Sequence, residues 1–146
     1  GFPNLTNDDW QWGGDPDSRV QTIAGGRMAG MPPWGEVLGE QGVDEVVAYV
    51  LQLSGQPTDA AKAAAGATHF QTYCMACHGA DAKGMAAVGA PDLTDGVWLY
   101  GGDADTLRET IIKGRMGQMP AFGDRLGEQR VRLLAAYVLR MSGTSQ

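Results

Sequence analysis

The sequence is poor in the residues that usually build metal sites and redox disulfides. Its 146 residues contain only two cysteines, Cys74 and Cys77, and two histidines, His69 and His78. A structural zinc site needs four ligands, so the chain has few residues with which to build one. Long apolar runs are also missing, since the longest, 133–139, is far shorter than the roughly 20 residues of a membrane-spanning helix. We therefore expect a soluble globular chain that does not itself cross a membrane.

The chain also lacks an initiating methionine and a signal-peptide pattern, because it begins Gly1-Phe2-Pro3-Asn4. We expect a processed chain or a fragment. The net charge of −6 lies in residues 1–57, which hold eight acids and two arginines, whereas residues 58–146 hold nine charges of each sign. Such an acidic segment repels nucleic acid and can attract a basic protein partner.

An internal repeat organises the sequence. Residues 3–55 align without a gap on residues 91–143, at an offset of 88, and 27 of the 53 positions are identical. The second copy is preceded by residues 58–90, which hold both cysteines, and the first copy has no such stretch before it. The repeat predicts two units, a truncated first unit in residues 1–57 and a complete second unit in residues 58–146.

The second unit contains three predicted helices. Thr58 is expected to cap a helix that runs to about Tyr73, and Asp103 one that ends near Gly114. In the first copy the latter position reads Asp15-Pro16, an N-cap followed by proline at the first helical position. A third helix is expected over residues 128–141, where apolar residues recur at helical spacing.

The run Cys74-Met75-Ala76-Cys77-His78 is typical of covalent haem c attachment. Two thiols at this spacing can reach two vinyl groups of one porphyrin, and the adjacent imidazole can bind the iron. We therefore predict one haem c, bonded to Cys74 and Cys77 and ligated by His78. A thiol-disulfide enzyme that uses the two cysteines is the alternative from a different class.

The second axial ligand is predicted to be Met119. Methionine is a favoured partner of histidine in cytochromes c because its thioether stabilises ferrous iron. Pro120 stiffens the loop beside Met119, and Gly117 permits a close turn. Met116 is the other nearby candidate.

Further residues are expected around the haem. The backbone carbonyl of Pro91 is expected to accept a hydrogen bond from His78, because ligating histidines usually donate their second N–H to a fixed acceptor. Trp98 and Tyr100 either close the propionate edge of the haem or pack in the core. His69 precedes the motif on the same helix and is expected to be a surface residue.

These motifs together resemble class I cytochromes c over residues 58–146. They are Gly66-x-x-x-Phe70-x-x-x-Cys74-x-x-Cys77-His78, Pro91, Met119-Pro120 and Tyr137-Val138. The resemblance implies an all-α fold. It also implies that Gly66 and Phe70 on the first helix pack against Tyr137 on the last.

The first copy resembles, more narrowly, the dihaem subunit of cbb3-type cytochrome c oxidases, whose segments it shares. These are Gly1-Phe2-Pro3-Asn4-Leu5-Thr6, Trp10-x-Trp12-Gly13-Gly14, Met31-Pro32-Pro33-Trp34-Gly35 and Tyr49-Val50-Leu51-x-Leu53-Ser54-Gly55. The resemblance implies a periplasmic location, a parent protein anchored in the bacterial inner membrane, and contacts with other oxidase subunits and a soluble donor cytochrome c. Met31 matches an axial position, but this sequence has no histidine to oppose it, so a second haem requires a missing N-terminal part.

The resulting functional prediction is an electron-transfer cytochrome, not an enzyme on its own, that relays electrons to the haem-copper subunit of an oxidase. A cytochrome module of another periplasmic complex, such as a dehydrogenase or a nitrite reductase, is the alternative. A gas or peroxide sensor, in which Met119 detaches from the iron, is a further hypothesis.

Overall fold

The computed structural model describes residues 2–143. Within them the protein is mostly helical, with one small antiparallel sheet. No helix in this part of the chain is both long and apolar enough to cross a membrane. In chain order the elements are α1 (Pro16–Gly25), β1 (Arg27–Met31), α2 (Gly35–Leu53), α3 (Ala60–His69), a π-helical turn (Phe70–Cys74), α4 (Met75–His78), α5 (Ala104–Lys113), β2 (Arg115–Met119), α6 (Gly123–Leu126) and α7 (Glu128–Ser142).

Aspartate caps begin three of these helices. The Asp15 carboxylate caps α1, with Pro16 in its first turn, and Asp103 caps α5, as the sequence predicted. At α3 the cap is Asp59, whose carboxylate accepts hydrogen bonds from two backbone amides of the first turn. The prediction that Thr58 is this cap was wrong, because the Asp59 carboxylate occupies the capping position one residue later.

Strands β1 and β2 form a sheet that was not predicted from the sequence. They pair antiparallel, with Arg27 opposite Met119 and Met31 opposite Arg115. The segment before Pro120 was expected to be a loop. It forms strand β2 because the repeat-related segment β1 pairs with its backbone. The two segments are far apart in sequence.

The described residues form two separate clusters of buried side chains. The larger joins α2, α5 and the segment around the cysteines. Its buried members are Val43, Val46, Val47, Val50, Leu51, Phe70, Ala82, Leu93, Leu107 and Ile111. The smaller joins α1, α6 and α7 through Ile23, Val131 and Ala135, with Val20, Ala24, Phe122 and Leu126 packed around them.

The two repeat copies therefore exchange partners across the strand pair. Strand β1 leads from α1 in the smaller cluster to α2 in the larger, and β2 leads from α5 in the larger to α6 and α7 in the smaller. Helix α2, from the first copy, packs against α3 and α5, whereas α7 packs against α1.

One contact expected from the class I resemblance is replaced by its repeat-related counterpart. The ring of Phe70 lies 5.3 Å from the ring of Tyr49, centroid to centroid. A Cβ atom at Gly66 would collide with the backbone carbonyl of Glu45, so glycine allows α3 and α2 to cross closely. Tyr137, the residue expected here, is 60% exposed. The expectation was wrong because α2 takes the place beside α3 that was assigned to α7.

Candidate haem attachment site

The attachment segment lies where α3 passes through the π-helical turn into α4. Phe70, the first residue of that turn, is 1% exposed and anchors the segment in the larger cluster. Cys74 is half-buried and Cys77 is exposed, and neither forms a disulfide. Side chains three residues apart on a helical segment lie on the same face. The two sulfur atoms are therefore arranged to bond to one planar group.

The protonation of Cys74 argues against thiol-disulfide chemistry. Burial, followed by the effect of the neighbouring Cys77, raises the pKa of the Cys74 thiol to about 11. The thiolate is the reactive form in disulfide exchange, and reactive cysteines have a lowered pKa. This cysteine stays protonated at neutral pH, which suits a thioether partner better than a redox disulfide.

His78 is held by the backbone contact that the sequence predicted. Its Nδ1 lies 3.2 Å from the carbonyl oxygen of Pro91. Because a carbonyl only accepts, Nδ1 carries the proton and Nε2 keeps a free lone pair. Burial lowers the pKa of His78, and the hydrogen bond to Pro91 partly offsets this effect. A neutral imidazole with an oriented Nε2 is the form that binds a metal.

The loop between the histidine and Pro91 is fastened at both ends. The Gly84 amide donates to the carbonyl of His78 at 2.8 Å, and the Leu93 amide donates to the carbonyl of Ala82 at 2.8 Å. Ala82 is 1% exposed and lies in the larger cluster. The ring of His78 is thus oriented by a structured loop.

Residues of the first copy contact the helix that carries the attachment segment. Trp34, just before α2, contacts Tyr73, the residue before Cys74, with ring centroids 5.5 Å apart and ring planes inclined at 45°. The Trp34 amide also donates to the carbonyl of Ile111 on α5, at 2.9 Å. At the end of α3, His69 Nε2 lies 3.0 Å from the carboxylate of Glu45 on α2. The first copy therefore builds one wall of this site.

The two repeat-related methionines occupy different environments. Met31 is partly buried and packs against the same cluster as Cys74. Met119 lies at the other end of the strand pair, is 36% exposed, and is outside both clusters of the described residues. Met116 is 79% exposed on the outer face of β2. Met31 therefore packs against the cluster that Cys74 also packs against, and Met119 does not.

Trp98 and Tyr100 separate in the structure. Trp98 is partly buried and packs against the cluster that includes Phe70. Tyr100 is 40% exposed, and the guanidinium of Arg115 lies 4.7 Å from its ring centroid. Trp98 thus belongs to the core beside the attachment segment, and Tyr100 to the surface near β2.

Tyr49, which contacts Phe70, was missed by sequence reasoning, and Met31 was noted only as an axial position with no histidine to oppose it. Both are the repeat-related counterparts of residues that were predicted, at an offset of 88 from Met119 and Tyr137. The repeat was the available signal, since two similar copies present similar surfaces and can exchange partners. Nothing local in the sequence decides between the two pairings.

A Cys-x-x-Cys-His segment, with its histidine oriented by a backbone carbonyl on a small helical fold, defines a c-type cytochrome. A family model described as cytochrome c oxidase, cbb3-type, subunit III matches residues 1–50 and 61–138. The chain belongs to this family.

Similar proteins carry the same description. The chain is 46% identical, over 98% of its length, to the cbb3-type cytochrome c oxidase subunit CcoP of Cereibacter sphaeroides, covering 53% of that protein. It is 43% identical, over 98% of its length, to CcoP of Rhodobacter capsulatus, covering 54% of it. It is 46% identical, over 98% of its length, to the cbb3-type cytochrome c oxidase subunit FixP of Bradyrhizobium sp. (strain ORS 278), covering 53% of that protein. The chain spans about half the length of the curated relatives it matches.

Proposed function

We propose that this chain is an electron-transfer module that holds one haem c through Cys74, Cys77 and His78. The observation that carries the proposal is the hydrogen bond from His78 Nδ1 to Pro91, which leaves Nε2 free on the segment that bears both cysteines. The bound haem supplies the one-electron chemistry. The chain's own residues anchor it, orient its histidine and exclude water from one side.

For the second axial position, the observations support Met31 over the sequence prediction, Met119. Met31 shares a cluster with Cys74 and is partly buried, whereas Met119 is more exposed and lies opposite Arg27, at the far end of the strand pair. A thioether must be sheltered beside the iron to remain bound. The proposed ligand pair is therefore His78 and Met31.

Two matched variants test this assignment. In the protein with attached haem, Met31→Ala should abolish the methionine-to-iron charge-transfer band of the ferric form and open the ferrous form to carbon monoxide. Met119→Ala, the repeat-related control, should change neither. The reverse result would assign the second axial position to Met119. Rapid carbon monoxide binding to the unmodified protein would favour a gas sensor instead.

The proposed haem unit is therefore not one continuous segment. The sequence repeat divides the chain at residue 57, but the packing supports a unit made of residues 58–113 together with 27–53. The remaining pair, α1 and α7, would belong to a second unit of the same type. One haem is expected for the two cysteines present, and a second only where a longer chain supplies another attachment motif.

We further propose that the parent protein is a subunit of a cbb3-type oxidase and relays electrons in the periplasm towards its haem-copper subunit. Other oxidase subunits and a soluble donor cytochrome c are the proposed partners, with membrane attachment through a segment outside this chain. The family match and the names of the similar proteins support this proposal. The acidic residues 1–57 suit a basic donor.

Electron entry can be tested by stopped-flow reduction with a basic soluble cytochrome c. If the acidic segment guides docking, the second-order rate should fall steeply as ionic strength rises, because salt screens long-range attraction. A rate that is insensitive to salt would refute the docking proposal. Co-purification of the parent protein with a dehydrogenase or a nitrite reductase, and not with an oxidase, would refute the oxidase assignment.

A further inference from the structure

The loop that ends at Pro91 contains a buried glycine next to a run of exposed residues. Residues 85–88 are exposed, whereas Gly89 is buried. A side chain of the first copy covers this glycine, since a Cβ atom at Gly89 would collide with the outer six-membered ring of the Trp12 indole. The Trp12 ring therefore lies directly on the backbone of the loop, two residues before Pro91.

Trp12 is itself held by the first copy. The Arg27 guanidinium lies 4.8 Å from the ring centroid of Trp12, and Arg27 Nε donates to Thr22 Oγ1 on α1 at 2.8 Å. A cation over an indole is attracted to the face of the ring. Trp12 is also half-buried. The ring is thus connected through Arg27 to α1, and its position on the loop is defined.

The loop connects the covered glycine tightly to Pro91. The backbones of Met85 and Ala90 exchange two hydrogen bonds, at 3.1 and 3.2 Å, which close the loop. A Cβ atom at Gly84 would lie 2.8 Å from the carbonyl oxygen of Pro91, so this carbonyl packs against the backbone of the same loop. A displacement of the covered glycine therefore also displaces the carbonyl that accepts from the axial imidazole.

Charge does not draw the two copies together at this place. Burial, followed by repulsion from Asp95, Asp8 and Asp92, raises the pKa of Asp9. Asp9 belongs to the first copy, whereas Asp92 and Asp95 follow the loop in the second. Like charges at this distance oppose the approach of the two segments. The contact between the indole ring and the loop acts against this repulsion.

We propose that Trp12 of the first copy is a positioning residue for the axial histidine of the second. By fixing the loop at Gly89, the ring keeps the Pro91 carbonyl oxygen at 3.2 Å from His78 Nδ1. A fixed acceptor sets the orientation of a ligating imidazole and its strength as a donor to the metal. This inference rests on the proposed haem function, in which His78 binds the iron.

The test is hydrogen exchange of the His78 Nδ1 proton, followed by nuclear magnetic resonance in the reduced protein with its haem attached. This proton exchanges when its hydrogen bond to Pro91 opens. Trp12→Ala should speed its exchange by about tenfold or more, and likewise that of the Leu93 amide, which donates to Ala82 across the same loop. Trp12→Tyr keeps a flat ring, as in the second copy, and should largely restore both rates.

The backbone amides of Val46 in α2 and Ala135 in α7 are the internal control, because both lie in buried clusters and report general stability. Their exchange should not change with the loop. Equal acceleration of these amides and the His78 proton would overturn the proposal, since general destabilisation has this effect. An unchanged rate for the His78 proton in Trp12→Ala would also overturn it.

If Trp12→Ala does not assemble with haem, Trp12→Leu replaces it in the same comparison. Leucine is apolar but too short to reach Gly89, so it should also speed the exchange of the His78 proton. A rate equal to that of the unmodified protein would overturn the proposal. Absence of haem from the unmodified protein would instead refute the proposed function.

Discussion

Substitution of Tyr49, at the crossing of α2 and α3, tests whether α2 and not α7 packs against α3. Tyr49 and Tyr137 are repeat-related and both sit on long helices that follow a strand of the sheet. Tyr49 contacts Phe70, with ring centroids 5.3 Å apart and planes inclined at 59°. Tyr137 is 60% exposed and lines an apolar surface groove with Leu133 and Leu134. The same substitution at the two positions should therefore have different costs.

The expected difference follows from these contacts. An aromatic pair of this geometry contributes roughly 0.5–1.5 kcal/mol beyond the area it buries. Full burial of a large ring is worth roughly 3–5 kcal/mol on truncation to alanine, and Tyr49 is only partly buried. We expect Tyr49→Ala to lower the free energy of unfolding by about 2–3 kcal/mol. Tyr137→Ala should change it by less than about 0.5 kcal/mol, as surface substitutions usually do.

The assay is urea unfolding of the 146-residue protein with its haem attached, followed by circular dichroism. The change should appear in the midpoint with an unchanged dependence on urea, since both variants expose similar surface on unfolding. A large loss in Tyr137→Ala with little change in Tyr49→Ala would refute the exchange. It would place α7, and not α2, beside Phe70.

Two further outcomes follow from the same interface. Gly66→Ala should destabilise the protein by about 1–2 kcal/mol, because a Cβ there meets the Glu45 carbonyl, whereas Gly25→Ala, with open space around it, should be neutral or slightly stabilising by urea unfolding. The hydrogen bond from Gln41, followed by that from His69, holds the pKa of Glu45 below its ordinary value of 4.5. The ionised Glu45 carboxylate therefore stabilises the fold above pH 4.5, and this stabilisation is lost as the pH falls below that value. Glu45→Gln should make the urea midpoint depend less on pH below pH 4.5. If the variant shows the same pH dependence as the unmodified protein in this range, Glu45 is not its source.

The sequence predicted the local features of the fold because their causes are local. The N-caps at Asp15 and Asp103 and the last helix depend on residues within one or two turns, and all three are present. The contact between His78 and Pro91 was predicted for a similar reason, since a ligating imidazole needs one acceptor nearby.

The exchange of partners between the copies could not be predicted in this way. Two segments with half of their positions identical offer nearly equivalent surfaces, and local pattern does not decide which copy of the last helix covers α3. The choice depends on the pairing of β1 with β2, which joins residues about 88 apart in sequence. This pairing sets Met31 opposite Arg115 and Met119 opposite Arg27. The prediction of Met119 as the axial ligand was made without it.

The proposed electron-transfer function requires a covalent bond between haem and the two thiols. The decisive measurement is the intact mass of the protein produced with a haem c maturation system, taken after denaturation. We predict the mass of the 15.4 kDa chain plus one haem, with neither Cys74 nor Cys77 reacting with a thiol reagent. A mass equal to that of the chain alone, with two reactive thiols, would contradict it.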